Sequence, residues 1–322
     1  MDRHIVLAHR LAGDGTAIDA DEDISEALAA DGCAWVHLSF DRPETAIWIE
    51  RHLDYLDPSI RAALTEPMSR PRALRIGAGL LLILRGINLN EGADPEDMVS
   101  LRVYIDPARI VSLSRRKLRS VGELSDRIAR GQGPEDAGAF LADLVELLTD
   151  RIEAQVADLE ARSEALEAAV IQDPMPNHAA ETTDQRLEVA DLRRFLPAQR
   201  DAVRDCLRAG LDWVDDADHA KLGEQLDQLT RVTETLDAVR EQLATIRAEI
   251  DGARDERLNR NLYVLSVISA VFLPLGFMTG LMGINLAGMP GASWPPAFWV
   301  FSGSMVVMAV AVLAVLRLFR VL

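Results

Sequence analysis

The 322-residue sequence predicts an α+β membrane protein: an N-terminal cytoplasmic α/β domain, long stalk helices and two C-terminal transmembrane helices. Three observations predict it. Between Asn261 and Leu316 there is no Asp, Glu, Lys, Arg or His. Upstream of residue 135, short runs rich in Val, Ile and Leu alternate with helical patches; beyond it, apolar residues recur at three-four spacing. The acids end at Glu256, so the net charge of −17 belongs to the upstream part. The expected domains are 1–135 (α/β), 136–258 (helical bundle and stalk) and 259–322 (transmembrane hairpin).

The C-terminal window holds two apolar runs, Leu262–Met282 and Ala297–Leu316. Each is about 20 residues, enough at 1.5 Å per residue to cross a hydrocarbon core of ~30 Å. The alternative, a pair of buried core helices in a soluble protein, rarely runs this long without a charge. Arg254, Arg257 and Arg260 precede the first run, Arg317 and Arg320 follow the second, and the segment Gly283–Pro296 carries no charge. By the positive-inside rule both basic ends face the cytoplasm. Trp294, Phe298 and Trp299 fall where an aromatic belt would lie at the outer end. The N-terminus, MDRHIVLAHRLAGDG, lacks the apolar run of a signal peptide. The expectation is a multi-pass protein of the cell (inner) membrane with N- and C-termini in the cytoplasm.

In the N-terminal part the β-rich runs are Ile5–Ala8, Ala34–Phe40, Ala73–Ile76, Leu80–Leu84, Val99–Ile105 and Arg109–Ser114. Turn formers such as Gly77, Gly79, Gly86 and Asp106-Pro107 bound them. Helices are expected at Glu22–Ala30, Pro43–Leu53 and Pro58–Leu64, the last capped by Asp57. From about residue 136 the helical period takes over. One helix should end before Asp173-Pro174, and a second should run from Thr183 to about Trp213, with Pro197 able to kink it. A third begins near Asp218 with the seam Leu222, Leu226, Leu229, Val232, Leu236, Val239, Leu243, Ile246 and Ile250. Gly252 and Pro274 do not break it, so stalk and first membrane helix should be one helix of ~65 residues.

Composition excludes several functions. Setting aside Arg260, Arg317 and Arg320, residues 1–258 carry −20. Nucleic-acid binding needs a basic face. Cys33 and Cys206 form neither a disulfide framework nor a zinc motif. The cluster Asp19, Asp21, Glu22, Asp23 and Glu26 lacks the spacing and central Gly of an EF-hand and reads as a loop entering a helix. Six scattered histidines make no zinc spacing. No nucleophile, base pair or phosphate loop indicates an enzyme.

Asn259, Phe272-Leu273-Pro274, Phe277, Gly280 and the loop start Gly283-Ile284-Asn285 resemble the CorA superfamily of divalent-cation channels and transporters, whose two C-terminal membrane helices are joined by a loop beginning Gly-Met-Asn. The form GINLAGMPG, with Ile for Met and glycine where acids are usual, resembles the ZntB-like zinc-transporter branch. The resemblance implies a homopentamer with the long helix arranged five-fold around an axis. Its pore would be lined by Asn259, Leu262, Leu265, Leu273, Gly276, Gly280, Gly283, Ile284 and Asn285. This stripe is small and polar by membrane standards, and its bland alternative is a helix-packing face. Five Asn285 amides would offer oxygens to a hydrated divalent cation, and the leucine rings would be dewetted gates. The chain has Leu and Gly where the family often has Met and Thr. The Leu222–Ile250 seam is expected to join protomers.

The expected cargo is Zn²⁺, with Mg²⁺, Co²⁺, Ni²⁺ and Cd²⁺ as further candidates, and no resident cofactor; lipid is the other partner. The alternatives are a CorA-type Mg²⁺/Co²⁺/Ni²⁺ channel and a membrane-tethered coiled-coil scaffold that transports nothing. Between Arg260 and Arg317 no Asp, Glu or His is present to relay protons, and the phenol of Tyr263 is a poor carrier at neutral pH.

Overall fold

The computed structural model describes residues 4–11, 24–29, 32–66, 70–174, 178–284, 291 and 294–318. They form six strands and eight helices in two compact units: residues 1–173 with 177–247, and residues 174–176 with 248–322.

In the first unit the strands are β1 (Ile5–Leu11), β2 (Cys33–Ser39), β3 (Arg72–Ile76), β4 (Gly79–Gly86), β5 (Val99–Asp106) and β6 (Arg109–Ser114). They make one mixed sheet in the order β1-β2-β6-β5-β4-β3, with only β2 and β6 parallel among the described pairs. All six expected strands are present. α1 (Ile24–Ala29), α2 (Pro43–His52) and α3 (Pro58–Thr65) cover one face. α3 begins as expected, with Asp57 Oδ1 accepting from Ser59 N at 2.7 Å. The core on this face joins Val36, Leu38, Leu81, Val111 and Leu113 to Trp48, Ile49, Leu53, Ile60 and Leu64. Each fully buried side chain of this size contributes about 1.5–3 kcal/mol.

α4 (Arg119–Ala129), α5 (Ala137–Gln172) and α6 (His178–Arg208) pack against β1, β4 and the β3–β4 edge respectively. Trp35 of β2 meets Phe140 of α5 edge-on, with ring centroids 4.9 Å apart. Trp35 Nε1 donates to Ser112 Oγ at 2.7 Å, and His37 bridges Ser112 Oγ and Ser114 Oγ at 2.8 and 3.0 Å. The parallel register places these four residues on one face. Burial keeps His37 neutral, its pKa lowered to about 4.

α6 starts and stops earlier than expected. The stop is Gly210, at φ +60°, a left-handed conformation that glycine adopts without strain just past a helix end. α7 (Asp216–Met282) is one uninterrupted helix of 67 residues. Its upper part, to Arg247, lies in the first unit. There Lys221 contacts Asp143, Gln228 contacts Glu153, and Gln242 contacts Glu167, with near-constant separations of 78, 75 and 75 residues. A constant separation means that α5 and α7 run parallel.

The leucine seam requires a correction. Leu222, Leu229, Leu236, Leu243 and Ile246 are each at most 1 % exposed within a single chain. The seam is filled by the chain's own residues and is not free to join protomers. Its periodicity states that the face is buried, not by what.

Candidate ion-conducting hairpin

The second unit contains the lower part of α7 and α8 (Ala297–Leu318). Both helices are long and apolar enough to cross a membrane, and in neither apolar window is any residue buried. Core helices of a soluble chain would be mostly buried, and these windows are not.

Exposure divides α7 lengthwise. Tyr263, Val267, Val271, Leu275 and Met278 are partly shielded and recur at four- and three-residue steps along one side. The expected pore residues fall on the other side. Leu262, Leu265 and Leu273 are 61, 60 and 74 % exposed, and Asn259, Gly276, Gly280 and Gly283 are exposed as well. At 3.6 residues per turn the two stripes lie on roughly opposite faces. A Cβ at Gly276 or Gly280 would meet no atom within 4 Å. Nothing among the described residues requires glycine there.

Pro274 leaves the helix unbroken. Hydroxyls return to the backbone on either side: Ser266 Oγ donates to Leu262 O at 2.8 Å and Thr279 Oγ1 to Leu275 O at 3.0 Å. Gly283 closes the helix, its N–H donating to Thr279 O at 2.9 Å. Ile284 follows, 47 % exposed. Asn285, the proposed cation ligand, lies outside the described residues, as does the acidic segment Asp19–Asp23. At the start of α8, Phe298 and Trp299 are exposed and stand edge to face with centroids 5.5 Å apart. Arg254, Arg257 and Arg260 are exposed too.

The structure thus places Asn259, Leu262, Leu265, Leu273, Gly276 and Gly280 along one side of α7. It does not bring them together as a ring, because one helix cannot enclose a path. Among the described residues no group of three or more His, Cys, Asp or Glu is arranged to hold a metal ion.

The family described as "CorA-like Mg2+ transporter protein" matches residues 30–318. The chain belongs to the CorA family. Its relatives include the divalent cation transporter CmaX of Pseudomonas aeruginosa, 39 % identical over 272 residues, which cover 83 % of this chain and 80 % of that protein. The zinc transport protein ZntB of Pectobacterium atrosepticum is 34 % identical over 303 residues, 94 % of this chain and 91 % of its own. The structure of full-length CmaX superposes with a TM-score of 0.85 at 33 % identity, covering 99 % of both chains. The CorA magnesium transporter of Methanocaldococcus jannaschii, at 17 % identity and a TM-score of 0.79 over 98 % of both chains, shares the fold. The soluble α/β part, the long helix and the two C-terminal apolar helices are therefore a CorA-family architecture, and the chain is a membrane protein of a family of transporters rather than enzymes.

Proposed function

We propose that the protein transports divalent cations across the cell membrane, with Zn²⁺ as the preferred cargo, through a homopentameric pore. The pore is lined by Asn259, Leu262, Leu265, Leu273, Gly276, Gly280, Gly283, Ile284 and Asn285 from each protomer. The observation that carries this reading is the split of α7 into a shielded stripe and an opposite, exposed, uncharged stripe that holds Asn259, Leu262, Leu265, Leu273, Gly276 and Gly280. An apolar helix face left open in the single chain needs lipid or further copies of the helix to cover it. Small residues where the chain imposes no crowding fit close approach around an axis. Zinc is favoured by the ZntB relatives and by the loop: Met289-Pro290 leads into Gly291-Ala292-Ser293, without an acid to concentrate Mg²⁺ at the mouth.

In this reading residues 1–135 and 136–258 form the cytoplasmic body, 259–322 form the hairpin, and both termini are cytoplasmic, an orientation that the flanking arginines support. Leu262, Leu265 and Leu273 are hydrophobic gates, and Asn285 holds a hydrated or partly hydrated ion, since an amide is too weak a ligand to strip a divalent ion of its water. If a pH gradient drives transport, the proton moves with pore water or titrates acids near the cytoplasmic mouth, Asp251, Asp255 and Glu256, because the spans carry no Asp, Glu or His relay.

The test is uptake into proteoliposomes, with Zn²⁺ and Mg²⁺ compared at equal concentration with and without a pH gradient, alongside mass measurement of the solubilised protein. Zn²⁺ uptake by a five-protomer particle is expected. Uptake of Mg²⁺ in preference to Zn²⁺ would select the CorA-type channel suggested by the family's description, and a stable monomer would end the pore proposal. Asn285→Ala should abolish most of the flux while the pentamer persists, and Tyr263→Phe should leave pH-driven uptake intact.

A further inference from the structure

The first unit contains a cavity that transport through the hairpin does not use. Phe40, Arg85, Ser100, Arg102, Arg115 and Arg116 line it. It forms where the sheet register sets Arg85 of β4 opposite Ser100 of β5, with Arg102 two residues along and Arg115 just past the end of β6. Four arginines meet here in a chain whose net charge is −17. The lining contributes one acid, Asp97.

The arginines are not equivalent. Arg115 pairs with Asp41 at 2.8 Å and Arg116 with Asp97 at 3.5 Å, and these residues are about half or more exposed. Arg102 is 2 % exposed. Its Nη2 donates to the backbone oxygen of Glu66 at 2.6 Å, and no carboxylate lies within ion-pair distance of it among the described residues. Its Nε and the Ser100 hydroxyl are buried without a hydrogen-bond partner there. Phe40 supports the guanidinium, 4.2 Å from ring centre to Cζ, and also supports that of Arg115 at 5.5 Å. Burial, then the like charges of Arg85 and Arg115, push the Arg102 pKa down to about 10 against the weaker opposing pull of the Glu66 carboxylate, so it remains a cation at neutral pH.

A buried cation without a counter-charge costs several kcal/mol. Arginine does not escape that cost by losing its proton. The Glu66 carboxylate acts on Arg102 only from beyond ion-pair distance, and no other described carboxylate pairs with it, so the site is short of negative charge that an anion from solution can supply. The cavity measures about 190 Å³. Sites for drug-sized ligands run ~300–1,000 Å³, and one water takes ~30 Å³. The space therefore suits a small anion or the end group of a larger one. Guanidinium forks match tetrahedral oxyanions by paired N–H donors, a geometry that a spherical halide does not use.

We propose that this cavity is a phosphate site, with Arg102 at its base and Arg85, Arg115, Arg116 and the Ser100 hydroxyl around it. It accepts a phosphate dianion, either free or as the terminal phosphoryl group of a small organic phosphate. The proposal is independent of which cation crosses the membrane.

The experiment is isothermal titration of the full-length protein in nanodiscs, in metal-free buffer, with sodium phosphate, with ATP, and with sodium chloride at matched ionic strength. Saturable binding of phosphate or ATP, absent with chloride, is expected. Tighter binding of inorganic phosphate assigns the site to the free ion, and tighter binding of ATP to an organic phosphate. Arg102→Met should remove binding. Because a buried change can impair folding, Arg116→Gln at the exposed rim is the companion, with an expected loss of about tenfold in affinity, the scale of one charge-assisted hydrogen bond. Heats from phosphate and ATP equal to those of matched chloride, or wild-type affinity in a folded Arg116→Gln protein, would overturn the assignment.

Discussion

α7 carries leucines in two settings. Leu243, in the soluble unit, is 0 % exposed, and Leu273, in the hairpin, is 74 % exposed. The sheet unit completes its core within one chain. The hairpin leaves its apolar side chains open to whatever surrounds it. The same residue on the same helix therefore reports on folding in one region and on lipid or neighbouring copies in the other. Leu243→Ala should destabilise the soluble unit by about 2–5 kcal/mol, the usual cost of a cavity in a core. Leu273→Ala should change its unfolding by no more than ~0.5 kcal/mol while raising cation leak, if Leu273 is a gate as proposed. Denaturant unfolding followed by tryptophan fluorescence, paired with liposome leak assays, separates the two. Equal losses of stability would break the comparison.

The second prediction concerns pH. His37 has its pKa lowered to about 4 from 6.5 by burial, so the unfolded chain binds the proton more readily. The stability gained from keeping this histidine neutral is full above pH 6.5 and is lost as pH falls toward about 4, a loss on the order of 3 kcal/mol. Asp218 works in the opposite sense. Burial first, then Asp215, Asp136 and Asp143, raise its carboxyl to about 6, but it is partly exposed and screened. Comparing wild type with His37→Gln cancels the Asp218 effect. The stability difference should shrink as pH drops from 6.5 to 4, with hydrogen exchange at β2 and β6 as the readout. A difference that is constant with pH would remove His37 from the acid response.

Glycine gives the smallest and sharpest contrast. A Cβ at Gly138 of α5 would sit 2.8 Å from the backbone oxygen of Trp213, whereas at Gly276 it would meet nothing. Gly138→Ala should cost about 1–3 kcal/mol. Gly276→Ala should leave the thermal midpoint of the soluble unit unchanged and reduce uptake. Unchanged uptake would show that Gly276 faces lipid.

The strands were legible because each is a short β-rich run between turn formers, and the hairpin because the charge-free window is so long. α4 was not. Its Val121, Leu124 and Ile128 have helical spacing, but its N-cap is Leu118, which offers no side-chain cap, so no start signal precedes it. The end of α6 was overrun although Gly210 marks it. The α7 seam was read as a contact between copies because periodicity cannot name the partner. The exposed stripe of α7 was legible as a set of residues, but a pore is a property of several chains, which a single chain does not test. The arginine cavity left one signal unread: Arg102 interrupts the strand Val99–Asp106, every residue of which is buried.

The edge of the sheet has a further consequence. β3 pairs with β4 only from Gly79 to Ile83, so Leu84–Gly86 lack a strand neighbour on that side. Gln199 of α6 fills the gap: its Oε1 accepts from Arg85 N at 2.7 Å and its Nε2 donates to Arg85 O at 3.0 Å. One amide side chain thereby stands in for one further residue of β3. An open edge is a template on which another polypeptide can add β-structure, and nascent membrane proteins crowded on a bilayer are exposed to that hazard. The amide occupies both backbone groups that such an intruder would use first. Shortening Gln199 would turn a sealed margin into a sticky one, and the cost would be felt as aggregates during biogenesis rather than as a weaker fold.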